Sequence, residues 1–143
     1  MALINDKESV PIEYVFYADE HVKLFCGDNA VILPLLPENS IDVTVTSPPY
    51  NTGLVGNSHV RPSGFRKEAA MARNLEKMTS GYSDTLPEAE YQKQQVEMLN
   101  ALWRVTKPTG SVFYNQKLRW RDKVLIHPMH WVEQSKFNLR MEI

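Results

Sequence analysis

A six-residue run, Ile41–Thr46, constrains the fold of this 143-residue chain more than any other segment. Five of its residues are β-branched, which favours an extended strand. Asn39 and Ser40 precede the run, and two consecutive prolines, Pro48 and Pro49, follow it. Because proline has no backbone N–H, it cannot continue the hydrogen bonding of a sheet. The sequence therefore predicts a buried strand over residues 41–46 that ends abruptly in a turn.

Predicted strands and helices alternate along the chain. Residues 21–26 are mostly apolar and end at Gly27, which predicts a strand, and residues 29–36 predict a short helix with Asp28 or Asn29 as its N-cap. The later elements are a helix from a Thr-Leu-Pro-Glu capping box at 85–88 to Lys107 and Pro108, a strand at 110–115, a helix at 128–135 and a strand at 137–143. Along the first of these helices, a buried face is predicted by apolar residues at helical spacing, and Trp103 is expected in the core; the spaced residues are Tyr91, Met98, Leu102 and Val105. Such alternation predicts an α/β fold with a mostly parallel sheet, whose ligands collect at the carboxyl ends of the strands.

Residues 51–82 and the distribution of charge suggest a binding surface. This segment lacks a regular period and holds four of the six glycines, which predicts a long loop, and loops of that length are usually functional. The net charge is −1, yet residues 1–42 contain eight acidic and two basic residues, so the remainder is basic. Charge alone leaves two interpretations, a solvated face or a surface that contacts phosphates. On the second interpretation the nucleic-acid contacts are Arg61, Arg66, Lys67, Lys117, Arg119 and Arg121.

Several classes of protein are disfavoured by the sequence. No apolar run is long enough to cross a bilayer, and the amino terminus has no signal-peptide pattern. We therefore expect a cytoplasmic protein that does not associate with a membrane. Cys26 is the only cysteine, which excludes an internal disulfide and a cysteine-built zinc site. We expect it to be a buried strand residue. His127 and His130 have no neighbouring carboxylate or cysteine cluster, so we expect no metal.

The Ser-Pro-Pro-Tyr sequence at 47–50, called the 47–50 turn below, suits chemistry on the exocyclic amine of a nucleic-acid base. The lone pair of such an amine is delocalised into the ring, so a site must localise it before the nitrogen can attack. The Ser47 side chain and the Pro48 carbonyl can accept the amine hydrogens and direct the lone pair. Tyr50 offers a flat face on which an extruded base can stack. As a bare tetrapeptide the motif is more often only a turn that ends a strand. The neighbouring segments decide between such a turn and an active-site motif.

In its context the 47–50 turn resembles that of the cytosine-N4 and adenine-N6 DNA methyltransferases whose catalytic motif precedes the motif that binds S-adenosyl-L-methionine (AdoMet). The resemblance covers residues 21–143, includes the segments 21–28 and 107–115, and leaves 1–20 as an amino-terminal extension. It implies a Rossmann-like fold and DNA with a flipped-out base as the substrate. Serine at position 47 favours cytosine-N4, and adenine-N6 stays open. By position, the resemblance makes Ser47, Pro48, Pro49 and Tyr50 the catalytic turn and places Asp28 and Ser47 next to AdoMet.

One part of the pattern is missing. The family binds AdoMet through a Phe-x-Gly-x-Gly turn, and no Gly-x-Gly occurs in this sequence. In this group the glycine turn and the target-recognition region come later in the chain. We therefore expect an amino-terminal fragment with an incomplete fold, inactive by itself and completed by a missing C-terminal part. A separate chain that carries this part is one expected partner. The alternative is a catalytically inactive remnant that binds nucleic acid.

Overall fold

The computed structural model of the protein describes residues 10–51, 85–121 and 123–141. The predicted loop at 51–82 therefore lies outside the described residues, apart from Asn51. Within these ranges, no helix has both the length and the apolar character needed to span a membrane. The strands are β1 (Val15–Ala18), β2 (Lys23–Phe25), β3 (Ile41–Thr46), β4 (Thr106–Tyr114), β5 (Arg119–Arg121) and β6 (Val124–Ile126), and the α-helices are α1 (Asn29–Ile32), α2 (Glu88–Val105) and α3 (Met129–Val132). Short 3₁₀ helices cover Ile12–Tyr14 and Leu33–Leu35.

The described strands form three two-stranded sheets. β1 pairs with β2 and β5 pairs with β6 in antiparallel hairpins, whereas β3 and β4 are parallel. The predicted strand at 41–46 is confirmed residue for residue. Because β3 and β4 run parallel, they end at the same edge of the sheet. The connection between them includes α2. A mostly parallel, Rossmann-like sheet stays a prediction.

A bulge aligns β4 with β3. The register changes between the pairs Ile41–Thr106 and Val43–Ser111, so four residues of β4, 107–110, face one residue of β3. Pro108 is tolerated there because bulge residues need not donate to the ladder. A Cβ on Gly110 would lie 2.8 Å from the Asp42 carbonyl oxygen and 2.7 Å from a methyl carbon of Thr106. β4 therefore begins at Thr106, earlier than the predicted 110, and needs glycine where the backbones approach.

Helix α2 supplies the main core. It begins at Glu88 with Pro87 as N-cap and no side-chain cap, so the predicted capping box at 85–88 is wrong. Its buried face recurs at helical spacing, as predicted, and Tyr91 and Leu99 join Ile126 and Trp131 in the central cluster. The rings of Tyr91 and Trp131 meet edge to face with centroids 5.7 Å apart.

Several predicted burials are wrong. β3 is not buried: Val45 is 79% exposed and Val43 55%, because no described element covers that face of the two-stranded sheet. Trp103, expected in the core, is 47% exposed because it lies off the buried face of α2. Cys26 is also exposed, since it follows the end of a short hairpin strand.

One predicted element also changes. β1 pairs with β2, so residues 15–18 form a hairpin with the first predicted strand, and the division of the chain at residue 20 stays a prediction. The predicted strand at 137–143 is not formed over residues 137–141, and residues 142–143 lie outside the described part. Phe137 packs against the central cluster instead, which satisfies its apolar side chain without a strand.

Arg104 joins α2 to the segment before β3. Its Nη2 atom donates to the carbonyl oxygens of Leu33, Pro34 and Leu36 at 2.8, 3.0 and 2.8 Å. The Leu33 carbonyl also accepts the Leu36 N–H at 3.2 Å, and the other two carbonyls lie at the end of the helix, where partners within the helix are missing. The guanidinium therefore fixes the approach of the chain to β3.

Replacing Arg104 with methionine should lower the free energy of unfolding by about 2 kcal/mol, because the carbonyls lose charged hydrogen bonds while the apolar stem is kept. Urea unfolding followed by circular dichroism measures the change. The control is Lys93→Met, because Lys93 is exposed and makes only a 3.8 Å ion pair with Glu97. Equal losses in the two variants would contradict the role of Arg104.

Candidate active site

Two strand ends bring three polar side chains together. Ser47 follows β3 and Asn115 follows β4, and the Asn115 backbone N–H donates to the Thr46 carbonyl at 2.8 Å, which extends the parallel ladder by one bond. Asn115 Nδ2 then lies 3.1 Å from the Tyr50 hydroxyl and 3.4 Å from Ser47 Oγ. The Ser47 and Tyr50 hydroxyl oxygens are 2.6 Å apart. We call Ser47, Tyr50 and Asn115 the polar cluster.

The polar cluster is open to solvent. Ser47 and Asn115 are exposed and Tyr50 is half-buried. Lys117 Nζ lies over the Tyr50 ring, 5.6 Å from its centroid, in a cation–π contact. The predicted stacking ring therefore has a cation on one face, and a base would have to use the other face or displace Lys117.

The two proline carbonyls of the 47–50 turn have different surroundings. The Pro49 carbonyl accepts a hydrogen bond from the Tyr91 hydroxyl at 2.8 Å and a longer one from Gln116 Nε2 at 3.5 Å. Pro48 is buried whereas Pro49 is exposed, and the Pro48 carbonyl receives no hydrogen bond in the described part of the chain. After the turn, Asn51 adopts a positive φ of 53°, which asparagine tolerates, and its Nδ2 donates to the Leu86 carbonyl at 3.0 Å. The turn is therefore anchored through Pro49 and Asn51.

An ion pair between buried Arg119 and partly buried Glu88 lies next to the turn, where Arg119 Nη1 approaches the Asn51 carbonyl at 3.5 Å. Arg119 is 7% exposed and donates to both carboxylate oxygens of Glu88 at 2.8 Å. Its guanidinium lies 4.8 Å from the centroid of the Tyr91 ring. Arg121 Nη1 approaches the same carboxylate at 3.3 Å. Arg119 is thus held inside the protein, so in this arrangement it is not available for the predicted phosphate contact.

The other predicted contact residues have different environments. Lys117 is exposed beside the polar cluster, and Arg121 is partly exposed next to Glu88. For Lys117 and Arg121, contact with nucleic acid stays a prediction. Arg61, Arg66 and Lys67 lie outside the described residues.

Asp28 is the only described residue predicted to lie near AdoMet apart from Ser47. Its Oδ1 accepts the Ala30 N–H at 2.8 Å, so it is the N-cap of α1, as the sequence suggested. Its side chain is exposed. One exposed carboxylate already used as a cap does not form an AdoMet site, so these residues by themselves do not fit the cofactor.

The histidines expected not to bind metal also have a local explanation. His127 Nδ1 accepts the Met129 N–H at 3.1 Å at the start of α3. Across residues 10–51, 85–121 and 123–141, no group of three potential ligands could hold a metal ion.

Four site residues were missed by the sequence analysis: Glu88, Tyr91, Asn115 and Gln116. Asn115 had a usable signal, since polar residues that follow adjacent parallel strands meet at one edge. Tyr91 was assigned to the core from its spacing, and its ring is indeed buried. The reach of its hydroxyl to Pro49 is a tertiary contact that spacing along α2 does not indicate.

The pKa of Glu88 is lowered. Burial acts to raise it, but hydrogen bonds from Arg119 and Gln92 and the charges of Arg119 and Arg121 outweigh burial. A carboxylate with a lowered pKa in the folded state stabilises the fold above its ordinary pKa of about 4.3. That contribution is lost as the pH falls through the lower pKa of the folded state.

Glu88→Gln should therefore destabilise the protein by roughly 3 kcal/mol at pH 7, because Arg119 loses its buried partner charge. The difference from the unchanged protein should shrink below about pH 4.3 as Glu88 becomes protonated. Chemical unfolding at a series of pH values measures it. Glu97→Gln, at an exposed ion pair on the same helix, should show neither effect. A difference for Glu88→Gln that stays constant down to pH 2 would contradict the role of ionised Glu88.

Comparison with known proteins adds one similarity. No protein-family model matches the chain. The chain is 30% identical over 116 residues to a type II methyltransferase, M.BglII, of Bacillus subtilis. The matched segment covers 80% of this chain and 25% of that protein, so the chain spans about a quarter of the length of the curated relative it matches. Over most of its own length, the chain is thus similar to one part of a methyltransferase.

Proposed function

We propose that this chain is the base-binding part of a DNA methyltransferase that transfers a methyl group from AdoMet to an exocyclic amine, with cytosine N4 the favoured target. The observation that carries the proposal is the polar cluster at the carboxyl edge of the parallel pair, in which Ser47 directly precedes Pro48 in the chain. The similarity to M.BglII supports the methyltransferase assignment.

The polar cluster supplies hydrogen-bond acceptors for the amine. The amine has two hydrogens, and Ser47 Oγ together with the Pro48 carbonyl can accept both and aim the lone pair outward. If Ser47 donates its own hydrogen to Tyr50, its oxygen lone pairs remain for the amine. Asn115 then donates to the same tyrosine hydroxyl, which keeps that hydroxyl in place. No covalent intermediate with the protein is needed.

The extruded base needs an aromatic face. A base inside a duplex is unreachable, so the target nucleotide must leave the stack. The half-buried Tyr50 ring offers a stacking face opposite Lys117. Lys117, next to that face and exposed, suits the phosphate of the extruded nucleotide.

AdoMet supplies the activated methyl group when it is bound. The described residues offer only Asp28 and Ser47 toward it, and the chain contains no Gly-x-Gly turn. We place the rest of the cofactor site in a part of the enzyme that this chain does not contain. The match to about a quarter of M.BglII is consistent with this placement.

A base-binding site for an amine should distinguish bases that carry one. Binding of the chain to a fluorescein-labelled hairpin duplex with one bulged cytosine should be about tenfold tighter than to the same duplex with bulged uracil. Uracil carries a carbonyl in place of the cytosine amine, and a carbonyl cannot donate a hydrogen bond to the acceptors of the site. Fluorescence anisotropy measures both dissociation constants. A matched pair with bulged adenine and bulged hypoxanthine tests the adenine-N6 alternative, and equal binding to all four duplexes would support a non-catalytic remnant.

Variants connect the discrimination to the site. Ser47→Ala should reduce the cytosine-to-uracil ratio, and Tyr50→Ala should weaken binding of every bulged duplex about tenfold by removing the stacking face. Tyr17→Ala is the control, because Tyr17 is an exposed tyrosine whose hydroxyl is also hydrogen-bonded, in its case to Asp19 at 2.8 Å. An equal effect of the Tyr17 and Tyr50 substitutions would count against the assignment.

The chain by itself should transfer no methyl group. Incubated with tritium-labelled AdoMet and unmethylated DNA, it should leave no more label on a DNA-binding filter than a sample without protein. Robust incorporation would contradict the placement of the cofactor site outside the chain. Digestion of any labelled DNA to nucleosides would then show whether cytosine N4 or adenine N6 is modified.

A further inference from the structure

The hydroxyl of Tyr91 reaches from α2 to the 47–50 turn, 42 residues earlier in the chain. The tyrosine is fully buried. Its ring packs edge to face against Trp131 and beneath the Arg119 guanidinium. The position of the hydroxyl is thus set by the core, and the turn must adapt to it.

The hydrogen bonds at this hydroxyl have a defined direction. Gln116 Nε2, which can only donate, lies 2.7 Å from the Tyr91 oxygen. The other end of the same amide, Gln116 Oε1, faces the Lys117 backbone N–H at 3.4 Å, which fits this orientation of the side chain. Tyr91 therefore accepts from Gln116 and donates its own hydrogen to the Pro49 carbonyl at 2.8 Å.

Proline rings do not by themselves orient the carbonyls of the turn. A ring fixes φ, but the direction of a residue's carbonyl also depends on ψ, which stays adjustable. Tyr91 and Gln116 donate to the carbonyl of the exposed Pro49, while the carbonyl of the buried Pro48 receives no bond from a described residue and keeps its accepting capacity for a ligand. The contrast between two adjacent carbonyls comes from a tyrosine on a distant helix.

We infer that Tyr91 is a positioning residue, which turns the Pro49 carbonyl away from the substrate and leaves the Pro48 carbonyl as the acceptor for the amine. The inference rests on the proposed function of the turn. Tyr91 touches neither base nor cofactor in this role. Its effect should appear as selectivity for an amine-bearing base and not as general affinity for DNA.

Tyr91→Phe removes the hydroxyl and keeps the buried ring. It should lower the cytosine-to-uracil binding ratio about fivefold, as expected for loss of one hydrogen bond, with little change in binding to the uracil duplex. Gln116→Leu, which removes the donor that orients Tyr91, should lower the ratio in the same direction. It also carries the test if Tyr91→Phe proves too unstable to measure.

Tyr114→Phe is the matched control. Tyr114 is a partly buried tyrosine packed against the central cluster. Its hydroxyl bonds Gln95 at 2.7 Å and Trp131 at 2.9 Å and also interacts with Gln116, but it does not bond the turn itself. Loss of the Tyr114 hydroxyl should lower stability in urea about as much as Tyr91→Phe does, and it should leave the cytosine-to-uracil binding ratio unchanged. If both variants reduce the ratio equally, the effect is general loosening of the core and the inference is overturned.

Nuclear magnetic resonance tests the hydrogen bond without DNA. The Tyr50 amide correlates with the Pro49 carbonyl carbon in an HNCO spectrum, and that carbon should move upfield in Tyr91→Phe but not in Tyr114→Phe. An unmoved resonance shows that the bond is absent and overturns the inference. A moved resonance with an unchanged ratio, in a protein that does discriminate cytosine from uracil, overturns the positioning role alone. A wild-type chain with the resonance shift but no discrimination rejects the proposed function, and the inference with it.

Discussion

The parallel pairing of β3 with β4 is the interaction on which the rest of the site depends. Parallel strands end at the same edge, so the residues that follow each strand become neighbours although they are 68 positions apart in the chain. Ser47 and Asn115 meet for this reason, and the Asn115 N–H to Thr46 carbonyl bond carries the alignment one step beyond the strands. Tyr50 joins them through its hydroxyl oxygen, which lies 2.6 Å from Ser47 Oγ and 3.1 Å from Asn115 Nδ2.

A second layer holds this edge to the helix. Glu88, at the start of α2, binds Arg119 at the start of β5, and the Arg119 guanidinium covers the Tyr91 ring. Tyr91 in turn binds the turn at Pro49. Buried charges cost free energy unless paired and hydrogen-bonded, so Glu88 and Arg119 must occur together. The exposed polar cluster thus stands on an interior network that includes charged residues.

Sequence reasoning predicted the parts of this arrangement that follow from local chemistry. β-branched residues and prolines indicated β3 and its end, the spacing of α2 indicated its buried face, and Asp28 was recognised as a possible cap. Reasoning failed where a tertiary partner decided the outcome. Glu88 suggested a capping box because its binding to Arg119 is invisible in local sequence, and Arg119 suggested a surface cation for the same reason. Burial of β3 was overestimated because burial depends on what packs against a strand and not only on its composition.

Gly110 shows how a site can be aligned from a distance. It lies at the bulge near the opposite end of the paired strands from the polar cluster, where β4 passes closest to Asp42 and Thr106. A side chain there would force the backbones apart or shift the ladder, and a shift of one residue moves every side chain of β4 to the other face. Asn115 would then point away from Ser47 and Tyr50. Gly110 has no side chain and no contact with the polar cluster, yet it fixes the strand register that places Asn115. A substitution at one end of β4 would therefore remove the chemistry at the other end.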